Sequence, residues 1–319
     1  MILNGNKFFT FLNDLNCFEN KPHVAVGVSG GPDSMALAYN LSRWVQSKKG
    51  KLTALVFDHG IRKNSRLESY KTKDMLSKLN IKTFIIKAKI NKIIKSNMSQ
   101  ARSNRFEGLI NFCKKNNIIH LFLGHHFDDN IETYLIRKIN GSNLEGLNSM
   151  NKFTYFNKIN IVRPLIGISK LSILAFNKRN NINFLNDPSN KNINYTRVKV
   201  RNFLKDKNYK KLVRVEFLKI KKQIPNYKHM IWELLIKSLI EVRSKSIKIN
   251  FKKLIKLDDL IIEKHIQILL KFFLDNKKFT KTSKINLFII AIKKPNFQIF
   301  NLSGVTIKKK SDILLFSQK

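Results

Sequence analysis

The sequence predicts an α/β fold in which a doubly wound parallel sheet is followed by a second, mainly helical and basic domain that ends in short β-strands. Short apolar, β-branched runs alternate with helical patterns in the first part of the chain, and polar clusters follow three of these runs. After about residue 205 the pattern changes to lysine-rich segments with helical apolar spacing. We therefore expect one domain over residues 1–205 and another over residues 206–319.

The elements of the first domain alternate along the chain. Runs rich in β-branched residues predict strands, and apolar positions with a period near 3.6 predict helices. The predicted strands cover residues 23–29, 52–58, 82–88 and 118–124. The predicted helices cover residues 5–18, 33–46, 66–79, 98–116 and 127–139. Because ligands bind beyond the carboxyl ends of parallel strands, we expect Gly30, Asp58 and His125 to meet at one edge of the sheet.

The second domain combines two patterns. Residues 206–290 carry apolar residues at helical spacing among many lysines, as in the run 260–273. The tail 296–318 is typical of short strands, and Lys310-Ser311-Asp312 is typical of a turn between them.

The charge balance is strongly positive, with 61 Lys and Arg against 21 Asp and Glu, a formal net charge of +40. A protein with such an excess commonly binds a polyanion such as nucleic acid. The abundance of Lys, Asn and Ile, whose codons are rich in A and T, offers genome composition as a second explanation. The small number of acidic residues favours the polyanion, but the charge alone leaves both explanations open.

Cysteine usage and hydropathy bear on the cellular compartment. Cys17 and Cys113 lie far apart, and no Cys/His pattern has metal-ligand spacing. Unpaired cysteines are typical of a reducing compartment. The amino terminus lacks a basic start followed by an apolar run, and no stretch reaches about 18 apolar residues. We therefore expect a cytoplasmic protein without a membrane span.

A glycine-rich run joins the first predicted strand to its helix: Ser29-Gly30-Gly31-Pro32-Asp33-Ser34. Glycine lacks a Cβ, so the backbone can turn sharply and approach a ligand closely. The free amides and positive dipole at the start of the helix suit a pyrophosphate group. The lysine of a Walker A motif is absent, whereas Asp33 adds a carboxylate suited to Mg²⁺. A plain turn with an Asp or Ser cap is the alternative.

Charged pairs recur at helical spacing. Asp129 and Glu132 are three residues apart and share a helix face, which could hold an ammonium group, a Mg²⁺ ion or surface ion pairs. Arg102 and Arg105 share a face in the same way, and a solvated basic surface is the alternative there.

The glycine-rich run resembles the PP-loop of ATP pyrophosphatases, which cleave ATP between the α- and β-phosphates. Further strings resemble those of one family with this loop, the tRNA(Ile)-lysidine synthases. DHGIR (58–62) is similar to their DHGLR string, and LGHHFDDNIET (123–133) is similar to LGHHxDDxxET. Further motifs of the family are matched in order by QARSNRF (100–106), RPL (163–165) and DPSN (187–190). The resemblance covers about residues 23–201.

The resemblance implies an ATP-dependent ligase that forms a C–N bond on tRNA. Members of the family join free L-lysine to C2 of the wobble cytidine of tRNA(Ile) with a CAU anticodon, and the tRNA then reads AUA. ATP first adenylates O2 of the cytosine, which releases pyrophosphate, and the lysine amine then displaces AMP. The resemblance also implies Mg²⁺ and, since members often form dimers, an ability to form a homodimer.

Residue by residue, the resemblance assigns roles to the matching positions. The candidate ATP-binding residues are Ser29, Gly30, Gly31, Pro32, Asp33, Ser34, Asp58 and His125, with Asp33 as the Mg²⁺ ligand. The candidate catalytic residues are Asp33, Asp129, Glu132 and Arg197. The candidate tRNA- or pyrophosphate-binding residues are Arg102, Arg105, Lys199 and Arg201. The lysine-rich second domain is expected to bind the tRNA backbone.

Two motifs depart from those of the resembled family. RGxGxxGLxGM appears as NGSNLEGLNSM (140–150), and RNxxR appears as RVKVR (197–201), which leaves the role of the missing loop arginine open.

Two other functions compete with the one that the resemblance implies. A PP-loop enzyme that forms 2-thiocytidine is one alternative, but that class needs paired cysteines. A non-catalytic basic RNA-binding protein is the other, but it predicts loss of Asp33 or of the glycine pair.

Overall fold

The computed structural model describes residues 3–60, 64–88, 98–185, 196–274 and 280–318. The chain divides into two compact units, Met1–Ile220 and Lys221–Lys319. The boundary between the units lies within a long helix, whereas the change of composition in the sequence begins near residue 205. The assignment of separate functions to residues 1–205 and 206–319 stays a prediction.

The first unit alternates strands with helices. Its strands are β1 (His23–Val28), β2 (Lys51–Asp58), β3 (Lys82–Lys87), β4 (His120–Leu123), β5 (Phe153–Phe156) and β6 (Ile159–Val162). Its helices are α1 (Gly5–Asp14), α2 (Pro32–Ser47), α3 (Ser65–Ser77), α4 (Met98–Lys115), α5 (Phe127–Ile139), α6 (Leu144–Leu147), α7 (Lys170–Arg179) and α8 (Thr196–Phe203). The helix that contains the boundary is α9 (Lys207–Ser238).

Six strands of the described residues form one sheet in the order β3-β2-β1-β4-β6-β5. All neighbouring strands are parallel except β5 and β6. The chain runs outward from β1 to β3 and then returns to place β4 on the other side of β1. The strand order therefore reverses between β1 and β4, and ligands of such sheets bind in the crevice at this switch point.

The central strands are buried on both faces, which explains why they are continuous apolar runs in the sequence. Val24, Val26 and Val28 of β1 belong to a core that also contains residues of α2. Ala25 lies between them on the strand and belongs to a second core, together with Leu109 of α4. Helices on both faces thus fix β1 and β4 in the middle of the sheet.

The hairpin formed by β5 and β6 was not predicted. Its two strands are joined by Asn157 and Lys158, whose φ angles are 51° and 65°. Positive φ at both central residues is the geometry of a type I′ turn, which matches the twist of a hairpin. An Asn-Lys turn lacks the glycine that usually marks such hairpins, so the sequence carries only a weak signal.

The second unit combines helices with an antiparallel sheet. Its helices after α9 are α10 (Phe251–Ile255), α11 (Asp259–Phe273) and α12 (Thr282–Ile292). Its strands are β7 (Leu239–Arg243), β8 (Ser246–Asn250), β9 (Ile299–Leu302), β10 (Val305–Lys310) and β11 (Ile313–Gln318), in the order β7-β8-β11-β10-β9. One core contains Ile266 of α11, Phe288 of α12 and Phe316 of β11, all fully buried.

The predicted fold class is confirmed: a parallel sheet with helices on both faces is followed by helices and terminal strands. The second unit has more β-structure than expected, because β7 and β8 lie between α9 and α10. Among the residues that the structure describes, none of the helices has the length and apolar character needed to cross a bilayer.

We expect Gly30→Ala to lower the free energy of unfolding more than Gly141→Ala. Both glycines have positive φ, at 79° and 68°, and an alanine in this region costs about 1–2 kcal/mol. A Cβ on Gly30 would also lie 2.4 Å from Oγ1 of Thr72, whereas nothing lies within 4 Å of a Cβ on Gly141. Urea denaturation followed by circular dichroism measures both losses. Equal losses would show that Thr72 moves aside without cost.

Candidate functional site

The glycine-rich turn connects β1 to α2 and leaves the start of the helix open. Gly30 has positive φ, and its carbonyl oxygen accepts the N–H of Leu185 at 2.8 Å. Oγ of Ser34 accepts the N–H of Ser29 at 3.2 Å and donates to the carbonyl oxygen of Gly31 at 3.0 Å. In the described part of the chain no side chain caps this helix start. Its first amides therefore remain available to an anion.

Lys170 lies at this turn, although the sequence analysis did not identify it. It is the first residue of α7, and its Nζ lies 2.7 Å from both carboxylate oxygens of Asp33. Its backbone N–H donates to Oδ2 of Asp128 at 2.8 Å. One lysine thus links the glycine-rich turn to the start of α5. A single lysine after a serine gives no sequence signal for a contact across 137 residues.

His126 connects the same two elements. Its Nδ1 accepts the N–H of Asp129 at 3.4 Å, and its own N–H donates to Oδ2 of Asp129 at 3.2 Å, which forms a capping box at the start of α5. Its Nε2 lies 3.4 Å from Oδ2 of Asp129 and 3.8 Å from Oδ2 of Asp33. One imidazole therefore faces carboxylates from both motifs.

Glu132 is buried and accepts hydrogen bonds from two arginines of α8. Nε of Arg197 lies 2.9 Å from Oε2, and Nε of Arg201 lies 2.8 Å from Oε1. These residues are four apart on a helix and share a face, whereas Lys199 is exposed elsewhere on the helix. The structure thus brings Arg197 and Arg201 into the site and keeps Lys199 apart from them.

Asp129 lies between the histidine and the arginines. Its Oδ1 is 3.8 Å from Nη2 of Arg197 and 3.7 Å from Nη2 of Arg201, which is longer than a hydrogen bond. Burial would raise the pKa of the Asp129 carboxyl, but its electrostatic interactions with His126 and Arg197, together with the backbone hydrogen bond from His126, outweigh burial and lower this pKa. Asp129 is therefore an ionised carboxylate at neutral pH.

Asp128 completes the acidic cluster. Nζ of Lys210, in the first turns of α9, lies 2.6 Å from its Oδ1. Burial would raise the pKa of Asp128, but the hydrogen bonds from Lys210 and from the backbone of Lys170 lower it. Lys210 is a second cation of the site that the sequence analysis missed.

His125 is held in its neutral form. Burial and the positive charges of Arg163 and Arg105 lower the pKa of His125 to about 3, against the opposing effect of Asp129. Its Nδ1 is buried and has no hydrogen-bond partner among the described residues. A neutral imidazole with an open nitrogen can form a hydrogen bond to a ligand without adding charge.

Arg102 and Arg105 extend the positive side of the site. They lie one turn apart on α4, and loss of hydration together with the positive charge of Arg197 lowers the pKa of both guanidinium groups. Part of each residue nevertheless remains exposed to solvent. The charge of Arg197 on α8 thus acts on both arginines of α4, and an anion bound near them would relieve this repulsion.

Asp58 is bound by its own loop. Its Oδ1 accepts the N–H of Gly60 at 3.0 Å and the hydroxyl of Ser65 at 2.8 Å, which fixes the turn after β2. The last two residues of its motif, Ile61 and Arg62, lie outside the described residues, as does the DPSN string at 187–190.

The loop 140–150, which departs from the resembled family, is fastened to α5. Nη1 of Arg137 donates to the carbonyl oxygen of Gly146 at 2.7 Å. The side-chain amide of Asn130 pairs with the backbone of Met150 at 2.8 and 3.1 Å. An arginine of the helix thus binds this loop, and the sequence analysis did not single it out.

We expect stability to fall between pH 7 and pH 5, with His125 as one cause. Its pKa of about 3 in the folded chain lies below the ordinary value of about 6.5. Between pH 3 and pH 6.5 the imidazole binds a proton in the unfolded chain but not in the folded chain. The contribution of neutral His125 to the free energy of unfolding is therefore complete above about pH 6.5 and is lost as the pH falls. Urea denaturation at pH 5 and 7 should show a smaller loss for His125→Asn than for the unchanged chain.

The exposed His229 provides the matched control for that experiment. His229→Asn should leave the difference between pH 5 and pH 7 unchanged. An imidazole of His125 that titrates near pH 6.5 in an NMR experiment would contradict the burial argument.

Comparisons with known proteins agree with this geometry. A model of the PP-loop domain matches residues 5–208. The tRNA(Ile)-lysidine synthase of Orientia tsutsugamushi (strain Boryong) is 36% identical over 195 residues, which are 61% of this chain and 44% of that protein. The tRNA(Ile)-lysidine synthase of Wolbachia pipientis wMel is 38% identical over 186 residues, which are 57% of this chain and 43% of that protein. The chain spans about half the length of these curated relatives.

A solved structure shares the fold. The U34-tRNA thiolase NcsA from Methanococcus maripaludis with its 4Fe-4S cluster superposes with a TM-score of 0.59 at 19% identity, over 70% of this chain and 77% of that chain. The PP-loop domain model covers more than half of the chain, including the glycine-rich turn, α5 and α8. The chain therefore belongs to the PP-loop domain family.

Proposed function

We propose that this protein joins free L-lysine to C2 of the wobble cytidine in tRNA(Ile) with a CAU anticodon. ATP would adenylate O2 of the cytosine and release pyrophosphate, and the lysine amine would then displace AMP. The observation that carries this proposal is the meeting of an uncapped glycine-rich turn with the acidic start of α5 at the switch point of the sheet. Relatives named tRNA(Ile)-lysidine synthase support the choice of reaction.

The first half of this reaction moves negative charge onto pyrophosphate. Preorganised donors and cations near that charge stabilise the transition state. The first amides of α2 can bind phosphate oxygens, and Lys170 carries an ammonium group beside Asp33. Arg102 and Arg105 can bind the departing pyrophosphate or the tRNA backbone. The neutral His125 can bind the nucleotide by a hydrogen bond alone.

Asp33 has the chemistry of a Mg²⁺ ligand. Mg²⁺ commonly takes one or two carboxylates together with substrate phosphates, and it would neutralise phosphate charge when bound. The described residues contain no group of three or more His, Cys, Asp or Glu that could hold a metal ion by itself. Both oxygens of Asp33 pair with Lys170. An ion at Asp33 and the ammonium of Lys170 therefore compete for the same carboxylate, and the displaced ammonium is then available to phosphate.

Asp129 is the better placed of the two candidate carboxylates for the lysine substrate. Both oxygens of Glu132 already accept arginine hydrogen bonds at 2.9 and 2.8 Å. Among the residues that the structure describes, Oδ1 of Asp129 has only the longer approaches from Arg197 and Arg201. We therefore assign the amine of the substrate to Asp129, and we assign to Glu132 the task of orienting the two arginines.

Binding of the tRNA would combine phosphate contacts with access to the anticodon. Lys199 is exposed on α8 and is suited to a phosphate. Residues 206–319, which include lysine-rich helices, would add contacts that do not depend on sequence. We infer this role from their charge.

Neither alternative function has the same support. A thiolase needs reactive cysteines, but burial raises the pKa of Cys113 to about 12 and also raises the pKa of Cys17. Cys113 lies on α4 and is fully buried in the core that this helix forms with the sheet. A non-catalytic RNA-binding protein would not need the paired Asp33 and Lys170 at an open phosphate turn.

We expect the protein to transfer labelled lysine to tRNA(Ile) with a CAU anticodon in the presence of ATP and Mg²⁺. The same transcript with uridine at the wobble position should receive none, because the cytosine is absent. Asp129→Asn should raise the KM for lysine about 10-fold or more, since an ionic partner of the amine is lost. The labelled lysine that is retained with the RNA on a filter measures the product. Absence of transfer by a folded, tRNA-binding protein would contradict the proposed reaction.

Lys170→Met should slow tRNA-dependent ATP cleavage about 100-fold, because a cation near the phosphates is removed. It should also lower the Mg²⁺ concentration needed for half-maximal rate, because the ion no longer competes with an ammonium group for Asp33. Pyrophosphate release as a function of Mg²⁺ concentration measures both effects. Asp33→Asn should abolish release and leave tRNA binding intact.

Lys178→Met is the matched control, because Lys178 is exposed on the same helix. It should leave the rate and the Mg²⁺ dependence unchanged. A Lys170→Met protein with the unchanged rate and Mg²⁺ dependence would exclude Lys170 from the reaction.

A further inference from the structure

Two aromatic rings stack on the surface of the first unit. Phe203 is the last residue of α8, and Tyr209 lies in the first turn of α9. Their ring centroids are 4.8 Å apart, and the ring planes are inclined by 24°. Phe203 is nevertheless 45% exposed and Tyr209 is 51% exposed. Each ring is covered by the other on one side, and much of the remaining ring surface faces water.

The connection between α8 and α9 holds these rings in place. Leu204 is buried in a core with Val213 of α9, so the chain between the rings is anchored inward. Oδ1 of Asp206 accepts the N–H groups of Asn208 and Tyr209 at 2.8 and 3.1 Å, which caps the start of α9. The rings are therefore carried on helix ends and not on a free loop, which lowers the entropy lost on binding.

The ring pair lies beside the candidate site. Arg201, two residues before Phe203, donates to Glu132 at 2.8 Å. Lys210, directly after Tyr209, donates to Asp128 at 2.6 Å. Both flanking side chains thus reach the acidic cluster of α5, and the rings lie within two residues of them along the chain, on other sides of their helices.

The surface around the rings is basic. Lys205, Lys207 and Lys211 are exposed within a few residues of the rings. Exposed aromatic rings among lysines are the combination that proteins use to bind single-stranded nucleic acid, because bases stack on the rings and phosphates meet the cations. A purely apolar partner would not be matched by this charge.

We propose that Phe203 and Tyr209 form a stacking platform for an unpaired base of the RNA substrate. This proposal rests on the proposed function, from which the RNA partner is taken. Bases within a duplex already stack on each other, so the platform would select the unpaired nucleotides of a loop. A base stacked on the rings would be held within two residues of Arg201 and Lys210, whose side chains reach the acidic cluster of α5.

The test compares an isolated anticodon stem–loop with a fully paired duplex of the same length. We expect Phe203→Leu and Tyr209→Leu, which keep apolar volume and remove the ring, to weaken stem–loop binding about 5-fold or more. Duplex binding should change less than 2-fold, and the salt dependence should stay the same, because no phosphate contact is lost. Tyr209→Trp should keep stem–loop affinity, since it keeps an aromatic face. Fluorescence anisotropy of labelled RNA measures each affinity.

Leu212→Ala and Tyr155→Leu are matched controls, since Leu212 is an exposed apolar residue of the same helix and Tyr155 is an exposed aromatic residue of β5. Both should bind the stem–loop like the unchanged protein. Equal weakening for loop and duplex, or unchanged binding by both ring variants, would overturn the platform, as would a complete absence of RNA binding. Ring-dependent loop binding without lysine transfer would uphold the platform and contradict only the proposed reaction.

Discussion

The parallel pairing of β1 with β4 is the constraint on which the candidate site depends. Gly27 of β1 lies opposite Leu123 of β4, so both strands end at the same level of the sheet. A Cβ on Gly124 would lie 3.2 Å from backbone atoms of Asp33, which is closer than most side chains tolerate. The absence of a side chain at this position lets the end of β4 approach the start of α2. Two motifs that are far apart in sequence thereby face one another.

Charge compensation organises the space between these strand ends. In the described part of the site, four carboxylates face four permanent cations: Asp33, Asp128, Asp129 and Glu132 against Lys170, Lys210, Arg197 and Arg201. Each of these charged groups needs a partner of opposite charge, because an unpaired charge at a partly buried position is costly. Two substrates, one with a triphosphate and one with an amine, would exchange partners with this array, so binding and rearrangement of ion pairs are coupled.

The short helix α8 shows how secondary structure changes the meaning of a sequence motif. Three basic residues at alternate positions suggested one common surface, but a helix turns residues two apart to different sides. Arg197 and Arg201 therefore bind Glu132, while Lys199 faces solvent. The same helix ends at Phe203, whose exposed ring follows Arg201 by two residues and lies on a different side of the helix. One helix thus contributes to the acidic cluster and to the surface around it.

The sequence by itself determined the fold class, the order of most elements and the two motifs at the switch point. These features depend on local periodicity and on short strings such as residues 29–34 and 123–133, which are written in adjacent residues. The sequence did not predict the hairpin of β5 and β6 or the strands β7 and β8, because their sequence signals are short and weak. The sequence also predicted that the clusters after the strands meet, since parallel strands bring their carboxyl ends to one edge of the sheet.

Only the tertiary structure decided which side chains meet. Lys170 reaches Asp33 across 137 residues, and Arg197 reaches Glu132 across 65. The resemblance pointed to Arg197, but among 61 Lys and Arg the sequence gives no reason to prefer Lys170 or Lys210, because any exposed lysine has the same local pattern. Their roles arise from packing. Helix α7 begins beside Asp33, helix α8 lies against Glu132, and each carboxylate pairs with the cation that folding brings within reach.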